Sequence, residues 1–492
     1  MSIPHYPLYI DGSWRDGGDG RRFDAINPYT RAAWATVAEA SAQDCADAIA
    51  AARRCFETTW SRTSGYERAK LINRLADLLE GDAQRMGELE STDNGKIIRE
   101  TKPQMGFAAR QYRFFAGFAD KLFGAQIPLD QRDVFDYATL EPLGVVVLIT
   151  AWNSPMGLLA NKLAPALAAG NCVVVKPSEH ASVTTLEFCR LAEAAGFPPG
   201  VINVVCGGAP VGQALVGGDI DKVSFTGSPA VGRAIAAQAG QNLKPVTLEL
   251  GGKSPNIVFA DANFDQAVVG ALAGIFGAAG QTCIAGSRLL VERPIYARMV
   301  EALAARARTV RMGDPLDPAT DMGTAANQPQ FERILGFIAK AREEGAKLVA
   351  GGQPATGGGL ERGFFVEPTI FADVDNAMHI ARQEVFGPVL GIIPFEGEEE
   401  ALRIANDSPY GLAAGVWTQN VSRVLRMTRA IRAGQIWVNT YRALVTQAPF
   451  GGFKDSGFGR EKGEAALHEF LAPKNVMIDF SEAQRDPFAM RT

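Results

Sequence analysis

Short runs of consecutive apolar residues alternate with helical periodicity in the middle of the chain. Such short runs are typical of strands that are buried on both faces of a sheet. The strand-like runs are residues 144–150, 172–175, 201–205 and 223–225. Two segments between them, 155–169 and 183–195, have helical spacing and are followed by glycine. This alternation predicts an α/β fold with a doubly wound parallel sheet.

The rest of the chain adds helices before this region and further α/β elements after it. Helical spacing predicts helices over 44–59, 67–90, 101–123, 297–311 and 330–344, and a buried helix over 267–280. Strands are predicted over 134–140, 346–349, 390–395 and 434–439, with a strand and turn at 9–14. Residues 481–492 are predicted to be a frayed tail.

Composition narrows the class of protein. The 492 residues carry a net charge of −5, which gives no electrostatic signature of nucleic-acid binding. Neither a signal peptide nor an apolar stretch long enough to span a bilayer is evident, so no membrane association is expected. The six cysteines form no CxxC pair and have no histidines at zinc spacing. We therefore predict a cytoplasmic protein with reduced thiols and no metal site.

Polar or glycine-rich residues follow each strand-like run. Ligands of doubly wound sheets bind beyond the carboxyl ends of the strands, so these segments predict a nucleotide crevice. The segments are Trp152-Asn153, 176–179, 207–212 and 226–228. Ser228 before Pro229 predicts a helix start that offers free amides to a phosphate. An ordinary helix cap is an equally good interpretation of that pair, and no strict GxGxxG motif is present.

A thiol and a carboxylate lie in two small-residue loops. Glu249 precedes Leu-Gly-Gly-Lys-Ser-Pro, and Cys283 ends Gly-Gln-Thr-Cys. If the two side chains meet, Cys283 is a candidate nucleophile and Glu249 a candidate base for a later hydrolysis. The alternatives are an inert buried thiol and an ion-paired carboxylate.

Eight short motifs in order make the chain resemble the NAD(P)-dependent aldehyde dehydrogenases. The resemblance covers roughly residues 10–480, and the ordered set is far more specific than any single motif. The motifs are Trp152-Asn153, Lys176-Pro-Ser-Glu179, Phe225-Thr-Gly-Ser228, Glu249-Leu-Gly-Gly-Lys253, Gly280-Gln-Thr-Cys283, Glu384-Val-Phe-Gly-Pro388, Tyr410-Gly-Leu-Ala-Ala414 and Pro449-Phe-Gly-Gly452.

The resemblance implies a role for each catalytic candidate. Cys283 would attack the aldehyde, and the Asn153 side chain with the Cys283 backbone amide would hold the oxyanion. Hydride transfer to the cofactor would leave a thioester, and Glu249 would activate the water that hydrolyses it to the acid. Lys162 is a candidate for a proton relay with a second glutamate. Because Ala472 stands at the position that we align with that glutamate, the relay is in doubt.

The resemblance also implies a cofactor site. Lys176 would bind the adenosine ribose, and the carboxylate of Glu179 beside it would repel a 2′-phosphate, which favours NAD over NADP. Glu384 would hold the nicotinamide ribose, with Phe386 near the ring. The implied cofactor residues are Ile149, Trp152, Lys176, Ser178, Glu179, Gly208, Gly212, Phe225, Gly227, Ser228, Val231, Leu250, Gly251, Gln330, Glu384 and Phe386.

Several implied substrate positions differ from the common pattern of the family. Ser154 and Asn161 stand where large aromatics are frequent, which indicates a bulkier or more polar aldehyde. Arg442 has two interpretations, a group that favours an anionic substrate or a solvated loop residue. The implied substrate residues are Ser154, Leu158, Asn161, Thr282, Ile284, Leu444 and Phe450.

The domain organisation follows from the same resemblance. We expect an NAD-binding domain over 1–123 and 143–250 and a catalytic domain over 251–455. Segments 124–142 and 456–492 would form a β oligomerisation arm and C-terminal segment of a homodimer or homotetramer, because an exposed strand tends to be covered by a partner. Two alternatives are a CoA-acylating aldehyde dehydrogenase and a non-catalytic NAD-binding protein on the same scaffold. Esterase activity through Cys283 is a further alternative, as a side reaction.

Overall fold

The computed structural model describes residues 3–481 and residue 488. The helices of the first half are α1 (Ala42–Thr58), α2 (Gly65–Gly81), α3 (Ala83–Asn94), α4 (Ile98–Ala116), α5 (Pro155–Ala169), α6 (Val183–Ala195), α7 (Ala209–Gly217) and α8 (Pro229–Gln241). Its strands are β1 (His5–Tyr6), β2 (Leu8–Ile10), β3 (Ser13–Arg15), β4 (Arg22–Asn27), β5 (Ala32–Ala38), β6 (Ala125–Ile127), β7 (Val134–Pro142), β8 (Val145–Ile149), β9 (Cys172–Lys176), β10 (Ile202–Val204), β11 (Lys222–Thr226) and β12 (Val246–Glu249).

The second half continues the alternation of helices and strands. Its helices are α9 (Phe264–Phe276), α10 (Arg293–Ala307), α11 (Gln328–Glu343), α12 (His379–Arg382), α13 (Gly397–Asn406), α14 (Val421–Ala430) and α15 (Gly463–His468). Its strands are β13 (Pro255–Val258), β14 (Arg288–Glu292), β15 (Lys347–Ala350), β16 (Thr369–Ala372), β17 (Val389–Phe395), β18 (Tyr410–Gly411), β19 (Ala413–Trp417), β20 (Gln435–Val438), β21 (Phe453–Lys454), β22 (Gly457–Phe458) and β23 (Leu471–Asp479).

An eight-stranded sheet in the order β22-β12-β11-β8-β9-β10-β2-β3 organises the first half. Its five central strands run parallel, and antiparallel pairs close both edges. The central strands β8 and β9 are fully buried, as expected for strands with helices on both faces. The predicted α/β fold with a doubly wound parallel sheet is therefore confirmed.

A seven-stranded sheet organises the second half in the order β15-β16-β17-β14-β13-β19-β20. All neighbours in it are parallel except the edge pair β15–β16. Only residues 250–254 separate β12 of the first sheet from β13 of the second. The Glu249 motif therefore forms the link between the two sheets.

A separate three-stranded sheet, β23-β7-β6, presents apolar side chains to the solvent. Its long antiparallel pair joins Leu471–Asp479 to Val134–Pro142. Phe135, Met477 and Ile478 are exposed on it. The strand predicted over 134–140 is present in β7.

The bounds of some predicted helices need adjustment. The predicted helix over 67–90 is two helices, because Asp82 leaves the helical conformation with φ −101° and ψ 13°. The helix predicted over 267–280 ends at Phe276, and Ala278 and Ala279 have positive φ. The tail prediction falls almost wholly outside the described residues. No helix in the described part of the chain is long and apolar enough to cross a membrane.

Candidate active site

The loop that carries Cys283 is held in an unusual backbone conformation. Ala278, Ala279 and Gly280 follow one another with φ of 53°, 51° and 72°. At Gly280 a side chain is excluded as well, because a Cβ would lie 2.0 Å from the carbonyl oxygen of Gly387. Strained backbone of this kind persists only where the surroundings fix it.

Hydrogen bonds from distant segments fix the Cys283 loop. The Gln281 side-chain amide donates to the Thr324 carbonyl at 2.9 Å, and its oxygen accepts from the Ala326 N–H at 2.9 Å. The Tyr441 hydroxyl donates to the Ile284 carbonyl at 3.0 Å. The thiol therefore sits on a rigid support, although it comes from a loop.

Asn153 is brought to the Cys283 loop by the turn between β8 and α5. Its side-chain Nδ2 donates to the Gln281 carbonyl at 2.9 Å, two residues before the thiol. Its neighbour Ser154 accepts a hydrogen bond from the Lys96 ammonium at 2.6 Å. The predicted oxyanion donor and the predicted nucleophile therefore lie side by side.

Glu249 ends β12 as a buried carboxyl group. Its side chain is 4% exposed, and neither oxygen has a hydrogen-bond partner among the described residues. Burial, and then the nearby Glu461 carboxylate, raise the pKa of Glu249 well above its ordinary value, while Lys162 lowers it. These influences favour the protonated form before reaction.

The structure gives Lys162 a buried acidic partner, Glu461. Lys162 is fully buried and donates to Glu461 Oε1 at 2.5 Å and to Ser224 Oγ at 3.0 Å. Asn161 donates to the other oxygen of Glu461 at 3.2 Å. Ala472, by contrast, lies in β23 opposite Glu141 of the outlying sheet. The acidic partner of Lys162 therefore lies eleven residues before Ala472 in the chain.

The electrostatic surroundings keep the Cys283 thiol protonated. Burial, followed by the carboxylates of Glu384, Glu249 and Glu461, raises the pKa of Cys283 to about 12. Only the thiolate is strongly nucleophilic. The Cys283 thiol therefore becomes reactive only if the charges around it change or a base removes its proton.

We expect the alkylation of Cys283 by iodoacetamide in the cofactor-free protein to accelerate about tenfold per pH unit between pH 7 and 9.5, because the thiolate fraction rises in that proportion below the pKa. Peptide mass spectrometry would follow the modification of Cys283. Cys206, which is fully buried, is the internal control and should stay unmodified. A rate that is constant from pH 7 upward would show a preformed thiolate and contradict this expectation.

A cavity of about 680 Å³ opens beside the thiol between the two sheets. Glu384 lies at its edge, where its Oε1 accepts the Gly252 N–H at 2.9 Å and burial raises its pKa to about 7. Of the predicted residues, the cavity is lined by Trp152, Asn153, Leu158, Gly227, Ser228, Leu250, Gly251, Cys283, Gln330, Glu384 and Phe386. Its size and mixed lining suit a dinucleotide end and a small substrate.

Two aromatic rings frame this cavity. Trp152 and Phe386 meet edge to face with centroids 5.2 Å apart. Phe386 has a positive φ of 57°, and the Gln330 amide fixes it by donating to the carbonyls of Val385 and Phe386 at 3.0 and 2.8 Å. Gln330 thus lines the cavity and also positions its aromatic wall.

A second group of predicted cofactor residues surrounds Lys176. Its ammonium lies 3.7 Å from Glu179 Oε2 and donates to the Pro177 carbonyl at 3.1 Å. A Cβ at Gly212 would lie 3.7 Å from the Lys176 side chain, and one at Gly208 would lie 3.9 Å from Glu179. These four residues form one cluster. Glu179 also borders a neighbouring cavity of about 490 Å³.

The helix start predicted at Ser228 is confirmed. Ser228 precedes α8, and its hydroxyl accepts the Val231 N–H at 3.4 Å. Ser228 and Val231 are exposed, whereas Ile149 and Phe225 are buried beneath them in β8 and β11. Ser178 is half-buried, and its hydroxyl accepts the His180 N–H at 3.3 Å.

The predicted substrate residues differ in how far they are exposed to solvent. Asn161, Ile284 and Phe450 are buried, whereas Leu444 is exposed. Asn161 is engaged by Gln111, which donates to its Oδ1 at 3.0 Å, as well as by Glu461. The remaining half-buried positions are Ser154, Leu158 and Thr282. Asn161 therefore helps to fix the position of the Glu461 carboxylate.

Sequence reasoning missed several residues that the structure brings to the site. Glu461 and Lys462 follow the Pro449–Gly452 motif, and nothing in their immediate sequence marks them. One signal was available for Glu461, since a buried lysine such as Lys162 needs an acidic partner. The other missed residues include Arg233, Arg333, Gln383, Pro409 and Asp455, which line the cavity. No cluster of metal-binding side chains occurs within residues 3–481.

Comparison of the sequence with protein families and known proteins gives a consistent result. The model of the aldehyde dehydrogenase family matches residues 14–476. An Acinetobacter baylyi protein, (Z)-2-((N-methylformamido)methylene)-5-hydroxybutyrolactone dehydrogenase, is 44% identical, with 99% of this chain and 100% of that protein covered. Aldehyde dehydrogenase 1A1 of Gallus gallus is 43% identical, with 97% and 94% covered.

Solved structures show the same fold. Betaine aldehyde dehydrogenase from Staphylococcus aureus, crystallised in complex with NAD+, superposes with a TM-score of 0.96 at 38% identity and covers 99% of this chain and 97% of its own. A variant of an aldehyde dehydrogenase from Bacillus cereus superposes with a TM-score of 0.95 at 40% identity, with 97% of each chain covered. Both similarities extend over nearly the whole chain.

Proposed function

The chain belongs to the aldehyde dehydrogenase family, and we propose that it oxidises an aldehyde to the carboxylic acid with Cys283 as nucleophile and NAD+ as hydride acceptor. The observation that carries the proposal is the meeting of Cys283 and Asn153 at one cavity between the two sheets. Glu249 lies close enough to raise the pKa of the thiol. Nucleophile, oxyanion donor and base candidate are thus combined in one place.

The residues at the cavity suit NAD+. Glycines at 227 and 251 keep the wall open, since a Cβ at Gly251 would lie 2.4 Å from Glu384 Oε2. We propose that Glu384 holds the nicotinamide ribose and that the Lys176 cluster holds the adenosine ribose, with phosphates near the Ser228 helix start. Bound NAD+ would supply the hydride acceptor. The betaine aldehyde dehydrogenase of similar fold was crystallised with NAD+, which supports this choice.

Cys283 and Asn153 would carry the oxidation half of the reaction. Once deprotonated, Cys283 Sγ attacks the aldehyde carbon, and the carbonyl oxygen becomes an oxyanion. The Asn153 Nδ2 group, already aimed at the Cys283 loop, would donate to that oxygen together with the Cys283 backbone N–H. A donor of this kind stabilises the transition state by about 3 kcal/mol in related acyl chemistry. Oxidation of the adduct leaves a thioester on Cys283.

Glu249 would then activate the water that cleaves the thioester. The base must be deprotonated for this step, whereas its burial favours the protonated form. The Lys162–Glu461 pair lies close enough to change the pKa of Glu249, and the Lys162 charge favours the carboxylate. We propose that the Glu461 carboxylate, which Lys162 holds in place, accepts the proton of Glu249, so that Glu249 acts as a base during hydrolysis.

We expect the purified protein to form NADH and free carboxylic acid from an aldehyde, with the rate followed at the NADH absorbance across aliphatic, aromatic, amino and semialdehyde substrates. Adding CoA should leave the product as free acid, because Glu249 provides for hydrolysis. NADP+ should support a lower kcat/KM than NAD+, because Glu179 repels the 2′-phosphate.

Three outcomes would contradict these expectations. Acyl-CoA formation would assign the chain to the CoA-acylating type. NAD+ binding without turnover on any aldehyde would favour a non-catalytic protein. Equal kcat/KM with the two cofactors would refute the role of Glu179.

We also propose an assembly and a domain division from the sheets. The NAD-binding domain comprises 1–123 and 143–250, and the catalytic domain 251–455. Segments 124–142 and 456–492 would associate subunits into a homodimer or homotetramer, since the β6–β7–β23 sheet exposes Phe135 and Met477. Light scattering of the purified protein would measure the subunit number.

We place the protein in the cytoplasm because its six cysteines are free, which cell fractionation would test.

A further inference from the structure

Lys462 is a nearly buried lysine whose backbone is fixed against the 442–450 loop. Its side chain is 4% exposed, and its φ of 59° is uncommon for a non-glycine residue. On one side, Glu461 and Phe450 exchange two backbone hydrogen bonds of 2.6 and 2.7 Å. On the other side, the Gly463 N–H donates to the Thr446 carbonyl at 2.8 Å. The fold therefore holds this residue in place despite the strained backbone.

The ammonium group of Lys462 has no hydrogen-bonding or ion-pairing partner among residues 3–481. It lies over the rings of Phe107 and Phe450, 4.9 and 5.4 Å from their centroids. A cation over an aromatic face recovers only part of the free energy lost on leaving water. The neighbouring Glu461, in contrast, has both oxygens hydrogen-bonded. The three N–H donors of the Lys462 ammonium are therefore available to an acceptor from outside the described residues.

The position of Lys462 connects it with the reaction centre. Its charge interacts with Glu461, Cys283 and Glu249. Activation of the thiol does not explain it, since the pKa of Cys283 stays raised to about 12. Phe450, under its ammonium, already stands at a predicted substrate position. The group therefore lies within electrostatic range of Cys283 and over a residue that the family resemblance assigns to the substrate.

Two further cations lie around the same turn. Lys96 donates to Ser154 Oγ at 2.6 Å and to Gln104 Oε1 at 3.3 Å. Arg442 is close enough to Lys96 to lower its pKa, and among the described residues its guanidinium donates one hydrogen bond, to the Ala273 carbonyl. Glu90 and Glu100 partly offset the charge of Lys96. Two further cationic side chains therefore contact this part of the structure, through Ser154 and the Ala273 carbonyl.

We propose that Lys462 binds a carboxylate carried by the aldehyde substrate, so that the substrate class is an oxo-carboxylate with an aldehyde at one end and an anion at the other. The inference rests on the proposed function. A carboxylate would supply the acceptors that Lys462 lacks, and a charge-assisted bond formed away from water is among the stronger ones. Phe107 and Phe450 would pack against the methylene groups between the two ends. Arg442 and Lys96 would add to the attraction during approach.

The test compares 4-oxobutanoate with butanal, which has the same chain length without the carboxylate. We expect the wild type to give a kcat/KM at least about tenfold higher for 4-oxobutanoate, since a buried charged hydrogen bond commonly contributes that much. Lys462→Met should lower this ratio about tenfold, chiefly by raising the KM for 4-oxobutanoate. Lys462→Arg, which keeps the charge, should retain part of the preference and shows whether the loss follows charge or folding.

Lys340→Met is the matched control, because Lys340 is an exposed lysine of α11 that forms an ion pair with Glu343. It changes the net charge equally and should leave the ratio unchanged. A wild type that prefers butanal, or a Lys462→Met variant that loses both activities in equal proportion, would overturn the inference while leaving the proposed function intact. The absence of NADH from every aldehyde would overturn both.

Discussion

Replacing Cys283 with alanine is expected to lower NADH formation by at least about 10⁴-fold, because removal of a covalent nucleophile costs factors of this order. The oxyanion donor would remain, since Asn153 is held by the Gln281 carbonyl and not by the thiol. NAD+ binding should survive, because Glu384, Phe386 and the Lys176 cluster do not depend on the thiol. Steady-state NADH absorbance would measure the first effect and titration calorimetry the second.

Cys189→Ala is the matched control for this experiment. Cys189 is a buried thiol of α6 that donates to the Thr185 carbonyl. Its removal also deletes one sulfur, and turnover should persist. Turnover retained by Cys283→Ala would disprove the nucleophile assignment. Loss of NAD+ binding together with turnover would show that the substitution disturbs the 277–283 loop as a whole.

The local pattern of apolar residues and glycines was sufficient to predict the parallel core of the fold. The buried strands β8 and β9 and the helices α5 and α6 follow from uninterrupted apolar runs and from glycine at the helix ends, as at Gly170 and Gly196. Both glycines have positive φ, which is the conformation that ends a helix in this way. Signals of this kind depend on residues only a few positions apart, so they can be recognised in the sequence without knowledge of the fold.

The residues of the candidate site could be predicted only where they lie in a short motif that resembles the family. Cys283, Glu249 and Asn153 each lie in a short segment that resembles the family, and the structure brings their segments together. Glu461 shows why the rest was not predictable. Its task comes from Lys162 and Asn161, which are about 300 residues away in the chain. Contacts across such separations are set by the packing of α15 against α5.

Contacts between distant segments also explain why helix α9 ends earlier than its sequence predicts. The pattern of small and apolar residues continues through Ala278 and Ala279, so periodicity predicts a helix up to residue 280. The helix ends earlier because the Ala278 N–H is taken by Glu100 Oε1 at 2.9 Å. A Cβ at Gly280 would also meet the Gly387 backbone. Tertiary contacts thus override local propensity at the point where the thiol must be presented.

In the proposed mechanism, three carboxyl groups around one thiol separate the two half-reactions. Glu384, Glu249 and Glu461 all raise the pKa of Cys283, so each charge that they carry opposes the thiolate. A protonated Glu249 reduces this opposition during attack, while a deprotonated Glu249 is required for hydrolysis. We propose that the Lys162–Glu461 pair lets Glu249 change between the two forms, because Glu461 raises and Lys162 lowers its pKa.

Glu249→Gln is therefore expected to slow the steady state by about 10²–10⁴-fold, the usual contribution of a general base, while acylation of Cys283 still occurs. Glutamine keeps the shape of the buried side chain but cannot accept a proton. The thioester should accumulate, giving a rapid burst of one NADH per site before slow turnover.

Rapid mixing would measure the burst of Glu249→Gln, and mass spectrometry after acid quenching would find the acyl group on the Cys283 peptide. Glu301→Gln, an exposed change in α10, is the control and should turn over like the wild type. If Glu249→Gln gives no burst and no acylated peptide, Glu249 is required before the thioester forms, and its role belongs to the activation of Cys283. A burst followed by normal turnover would instead mean that another group, with Glu461 the nearest candidate, activates the water.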